Sequence, residues 1–176
     1  MHADQYAHLP ERVRKWRELK GEEFIKEVFA YLREELERVE YFCGGYILDY
    51  SPRSLERIDQ NNAIDVAKEQ KRDKRDYSPS GLYAQEGAYL GEVILRTLGG
   101  KWRYPPNYRF ALSRIFINLG FPFDHSVGIV LRKCGIDLDG RFIPVIRIAK
   151  LRLRKSERVK SLHEVYEKIR TTGDWK

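Results

Sequence analysis

The sequence predicts an α+β fold: a small antiparallel sheet covered by helices, with an N-terminal helical hairpin packed alongside. Three observations predict it. Apolar residues recur at helical spacing through the first forty residues. Residues 84–102, AQEGAYLGEVILRTLGGKW, place a helix directly before a Trp-bearing strand. Beyond them, short alternating stretches separated by Gly and Pro turns read as strands. At 176 residues the chain is expected to form one domain, residues 1–176. Within it, 1–44 form a helical segment, 45–135 an α+β core and 136–176 a basic C-terminal segment.

Pro10 opens a short basic helix over 11–20, and Gly21 interrupts it. A second helix follows, with Ile25, Val28, Phe29, Leu32, Leu36 and Val39 on its apolar stripe and Gly44 and Gly45 at its end. Residues 46–50, YILDY, are short, aromatic and β-branched, and read as a strand. Ser51 then caps a helix whose first residue is Pro52. Its pattern fades through a charge-dense stretch ending at Ser78-Pro79-Ser80-Gly81.

The next helix carries Ala84, Gly87, Ala88, Gly91, Ile94, Leu95 and Leu98 on one stripe. Two interior glycines cost about 1 kcal/mol each relative to Ala, so something must approach this face closely. Gly99 and Gly100 end the helix. Strands over 101–104 and 109–119 are expected to pair as a hairpin around Pro105-Pro106-Asn107. A helix over 124–133 is stopped by Gly135, and 137–140 form a turn. Residues 142–153, FIPVIRIAKLRL, fit either a strand by alternation or a helix, of which the strand is favoured, and a last amphipathic helix covers 156–170.

Composition bounds the function. Hydrophobic residues make up 42% of the chain and charged residues 34%, the balance of a folded protein. No apolar run approaches the roughly 20 residues of a membrane span, and the N-terminus lacks a signal-peptide core, which predicts a cytoplasmic protein with no membrane partner. Cys43 and Cys134 form no metal or redox motif, and the four histidines are scattered, so no metal and no cofactor is expected. Charge is asymmetric. Residues 1–88 carry 15 Lys and Arg against 18 Asp and Glu, and residues 89–176 carry 18 against 8, so the halves stand at −3 and +10. That pattern suits an acidic protein partner or nucleic acid, although a solvated basic face is commoner.

Candidate binding residues follow from the charge. Lys101, Trp102, Arg103, Tyr104, Tyr108 and Arg109 interleave cations and rings as single-stranded nucleic acid requires, although anchoring of the hairpin to the core is the better account of Trp102 and Tyr104. Lys150, Arg152, Arg154, Lys155, Arg158 and Lys160 form a second basic tract. Asp49 and Glu92 are the carboxylates a hydrolase or nuclease would use, but Glu92 also stands four residues before Arg96, the spacing of a helical ion pair. Glu69-Gln70-Lys71 matches a nuclease element but lies in a charge run, where chance is the better account. Phosphate-binding loops and G-x-S-x-G are absent from the sequence.

The order LDYSPRSLERID, GAYLGEVILRTLGGKW, LGFPFDHSVGIVLRK resembles an uncharacterised family of bacterial domains, over about residues 46–135. The resemblance implies a small stand-alone bacterial protein of the immunity or accessory kind found in toxin systems. It carries over no catalytic residues; on its matching positions stand Asp49, Ser51, Gly91, Glu92, Gly100 and Trp102. The expectation is therefore a non-enzymatic interaction protein, with nucleic-acid binding as the alternative and hydrolysis a weaker third.

Overall fold

The computed structural model describes residues 19, 21–44, 48–69, 79–104, 131, 133–154 and 156–176. Among them stand five helices, α1 Gly21–Gly44, α2 Pro52–Glu69, α3 Pro79–Leu98, α4 Val145–Leu153 and α5 Leu162–Thr172. Three strands, β1 Lys101–Arg103, β2 Gly135–Leu138 and β3 Arg141–Ile143, form one antiparallel sheet in the order β1-β2-β3. The fold is α+β. The first basic helix, and with it the N-terminal hairpin, lies outside the described residues, as do the 109–119 strand and most of the helix expected near 124–133.

Helix α3 is the centre of the molecule. Ala84, Gly87, Ala88, Tyr89, Leu90, Gly91, Val93 and Ile94 are all buried. The small face lets two neighbours approach. A Cβ at Gly87 would lie 2.7 Å from the Ile146 Cα and 3.0 Å from the Val145 carbonyl, so glycine is what allows α4 to lie against α3. At Gly91 the space is filled by the Trp102 ring, whose other neighbour is Phe29 of α1 at 4.4 Å between centroids. Helix, strand and neighbouring helix are thus locked by one glycine and one indole.

Several sequence expectations are corrected. The segment 142–153 is mostly helix rather than strand: β3 ends at Ile143 and α4 begins after Pro144. Its buried residues are Val145, Ile146, Ile148, Ala149 and Arg152, and four of them, from Val145 to Arg152, follow i, i+3, i+4, i+7. The alternation of Ile146, Ile148 and the cations is real, but the helical stripe decides.

Residues 48–50 are not strand either. Tyr50 holds a left-handed φ of 60°, which extended pairing forbids. Gly135 starts β2 instead of stopping a helix. The turn is narrower than expected, Asp139-Gly140, with φ of 50° and 80° at its two residues. Positive φ at both centres is the twist-matched geometry of a two-residue hairpin, and Asp-Gly is a preferred pair for it. The Asp137 carboxylate accepts the Gly140 N–H at 3.0 Å and closes the turn. Strand β1 accordingly pairs with β2, Trp102 opposite Ile136. Helix α5 starts at Leu162, later than expected, because Ser161 is its cap and accepts the Glu164 N–H at 3.1 Å.

Candidate functional surface

Among the described residues that the sequence marks for chemistry, Asp49, Glu92, Trp102 and Arg152 are engaged in holding the fold. Asp49 sits at the entrance to α2. Its Oδ1 accepts the Ser51 N–H at 2.9 Å, and this bond together with the Ser51 hydroxyl holds the carboxyl below the usual carboxylate range. The site is exposed and serves to fix the turn before Pro52. Glu92 pairs with Arg96 at 3.1 Å, as the spacing predicts, and reaches Arg33 of α1 at 3.7 Å. It ties α3 to α1.

Tyr50 completes this corner. Its ring stacks on Tyr89 at 4.7 Å, the Arg96 guanidinium lies 3.8 Å from its centroid, and its hydroxyl donates to Glu37. Its N–H donates to the Tyr89 hydroxyl at 2.8 Å, which also meets the Ser54 hydroxyl at 2.9 Å. The left-handed backbone at Tyr50 is therefore held from four directions. Burial raises both tyrosine hydroxyls above their ordinary value, so both stay protonated as hydrogen-bonding groups.

Arg152 is the chief correction among the binding candidates. It is 8% exposed, and its guanidinium reaches Glu86 at 2.6 Å and Asp59 at 3.1 Å. Asp59 in turn accepts the Ser161 hydroxyl at 2.7 Å, the Leu162 N–H at 3.0 Å and the His163 N–H at 3.1 Å. One carboxylate from α2 thus meets the positive end of α5, and one arginine from α4 bridges it to α3. Position 152 belongs to the interior by its helical phase. The basic tract looked continuous only because a strand would have turned Arg152 and Arg154 to one side.

Arg154 is exposed, as are Arg158 and Lys160. The Lys150 ammonium lies 5.7 Å from the Tyr83 ring centroid. Cys134 is buried, and burial pushes its thiol well above the ordinary value, which makes it a small hydrophobe. Tyr108, Arg109 and Lys155 lie outside the described residues.

The first basic and aromatic set divides across the sheet. Trp102 points inward with Ile136 and Ile143, whereas Lys101 and Arg103 are exposed on the other face. Tyr104 is half-buried, its hydroxyl pushed up to about 12 by burial. The outward ring is Phe142, which sequence reasoning missed. It is 38% exposed, the one large exposed hydrophobic among the described residues. Register places Lys101 opposite Asp137, and Asp137 opposite Phe142. A Cβ at Gly135 would come 2.6 Å from the Phe142 ring, so the ring lies over this glycine, and Arg103 comes within 5.4 Å of its centroid. The signal was Asp139-Gly140: a tight hairpin there puts Phe142 on the face of Asp137.

Among the described residues no helix is long and apolar enough to cross a membrane. No family model, no curated protein and no solved structure matches this chain.

Proposed function

We propose that this is a non-enzymatic interaction protein that meets an acidic macromolecule through its exposed cations. The observation that carries this reading is the division of labour among the charged groups. Asp49 fixes a turn, Glu92 pairs with two arginines, and Arg152 is locked between Glu86 and Asp59. The carboxylates a hydrolase would use are thus engaged in the scaffold. Lys101, Arg103, Arg154, Arg158 and Lys160 remain exposed, all of them in the half carrying +10.

Retention on immobilised poly-glutamate and on immobilised random-sequence DNA, eluted with rising salt, tests the reading. Exposed charges are screened beyond about 8 Å at physiological ionic strength, so retention should be strong at low salt and fall steeply. The triple variant Arg154→Glu, Arg158→Glu, Lys160→Glu should elute earlier from at least one matrix with its thermal midpoint unchanged. If neither matrix retains the native protein at low salt, the positive surface only keeps the chain in solution and the reading fails.

A further inference from the structure

We propose that the outer face of the sheet is a stacking platform for single-stranded nucleic acid, with Phe142 as the ring and Lys101 and Arg103 as the phosphate contacts. This deepens the reading above, on which it rests, by naming the acidic macromolecule and the place it docks.

A three-stranded sheet has two faces, and here Trp102, Ile136 and Ile143 assign one of them to the core. The other presents Phe142 and, on β1 across β2, the side chains of Lys101 and Arg103. Neighbouring strands lie about 4.8 Å apart, so β1 and β3 are separated by roughly 10 Å. A nucleotide base laid on Phe142 would have its flanking phosphates within reach of both long cationic side chains.

Glycine at position 135 makes the platform possible. Any side chain there would occupy the space over which the Phe142 ring lies. The ring is held down on the strand instead of standing free, and Arg103 flanks it. An aromatic ring exposed to this degree, with one cation near its centroid and a second two strands away, suits a flat, anionic chain. Among the described residues the strands place one carboxylate on this face, Asp137, and it is drawn into the turn by the Gly140 N–H. A neutral base can lie beside this carboxylate and stack on the ring, whereas the side-chain carboxylates of a uniformly acidic peptide would be repelled by it. Single-stranded nucleic acid is therefore favoured over an acidic protein.

Fluorescence anisotropy with a labelled twelve-residue oligothymidylate, titrated with the whole protein at several salt concentrations, tests the platform. Phe142→Ala should weaken binding at least about fivefold, the lower end of what one stacked base contributes, and Phe142→Tyr should restore it. Lys101→Gln should make the slope of log affinity against log salt shallower by about 0.7, the value of one phosphate contact on a single strand. Circular dichroism and thermal midpoints confirm that the variants are folded.

Equal affinity for Phe142→Ala and the native protein overturns the proposal, as does equal affinity for a duplex of the same length, because either means charge attraction alone. Retention on poly-glutamate without oligothymidylate binding also overturns it, while leaving the interaction reading intact. Failure on both probes sinks the two together.

Discussion

Gly91 shows how much a single missing side chain can determine. Its empty position holds the Trp102 indole, which rests on Phe29, so one residue of α3 sets where β1 and α1 can lie. Leucine there has no room unless the indole is expelled. Gly91→Leu should destabilise the fold by about 1–3 kcal/mol through overpacking, read by denaturant unfolding. An unchanged midpoint would mean that Trp102 is not wedged against the helix. Asp49 offers a residue-scale test of a different kind. Its folded carboxyl titrates below the ordinary 3.8, held down by the Ser51 hydroxyl and N–H. A depressed acid contributes stability that is present above its unfolded value and is lost as pH falls through its folded one. The stability gap between native protein and Asp49→Asn should therefore be small, since the site is exposed, constant well above the ordinary 3.8, and shrinking as pH falls below it. Unfolding curves across that range check it, and a gap that widens in acid contradicts the assignment.

Elements, rather than residues, explain why sequence reasoning reached some features and missed others. Helix α3 was legible because its stripe, its glycines and its Gly99-Gly100 stop all agree. The approach of α4 and Trp102 to Gly87 and Gly91 is the close contact their cost implied. The segment after Phe142 was not, because its side chains satisfy both the two-residue and the 3.6-residue period. Only the partner settles the choice: α3 offers a small-residue face that a helix fits, and Pro144 ends the strand. Ser161 and Glu164 form an S-x-x-E pair, the signal that would have moved the expected start of α5 from 156 to Leu162, but no local pattern could reveal that Asp59, about a hundred residues earlier, would accept from the same turn. The resulting junction of α2, α3, α4 and α5 carries its own prediction. Arg152→Ala should destabilise by about 3–5 kcal/mol, because it removes the buried cation that Glu86 and Asp59 share. The double variant Arg152→Met, Glu86→Leu removes both charges and should recover most of that loss. Thermal melts of the three proteins decide it. A double variant as unstable as Arg152→Ala would show that the cations and carboxylates do more than neutralise one another.

At the scale of the whole molecule, a net charge of +7 conceals two kinds of cation, and the difference can be measured at neighbouring positions. Arg152 and Arg154 are two residues apart, of one chemical type, and removal of either lowers the formal charge by one. If total charge governed behaviour, Arg152→Gln and Arg154→Gln would be indistinguishable. Burial says otherwise: Arg152 binds carboxylates of two helices, whereas Arg154 is exposed at the end of α4. Arg152→Gln should therefore lower the thermal midpoint by several degrees. In a folded sample well below that midpoint, its elution from immobilised DNA should be little changed. Arg154→Gln should keep stability within about 0.5 kcal/mol of native, as exposed substitutions do, and elute at lower salt. Identical elution shifts for both variants would return the binding to net charge alone. A stability loss at Arg154 equal to that at Arg152 would contradict the division between scaffold and surface. The proposed interaction needs that division, since only cations left over from folding can be lent to a partner.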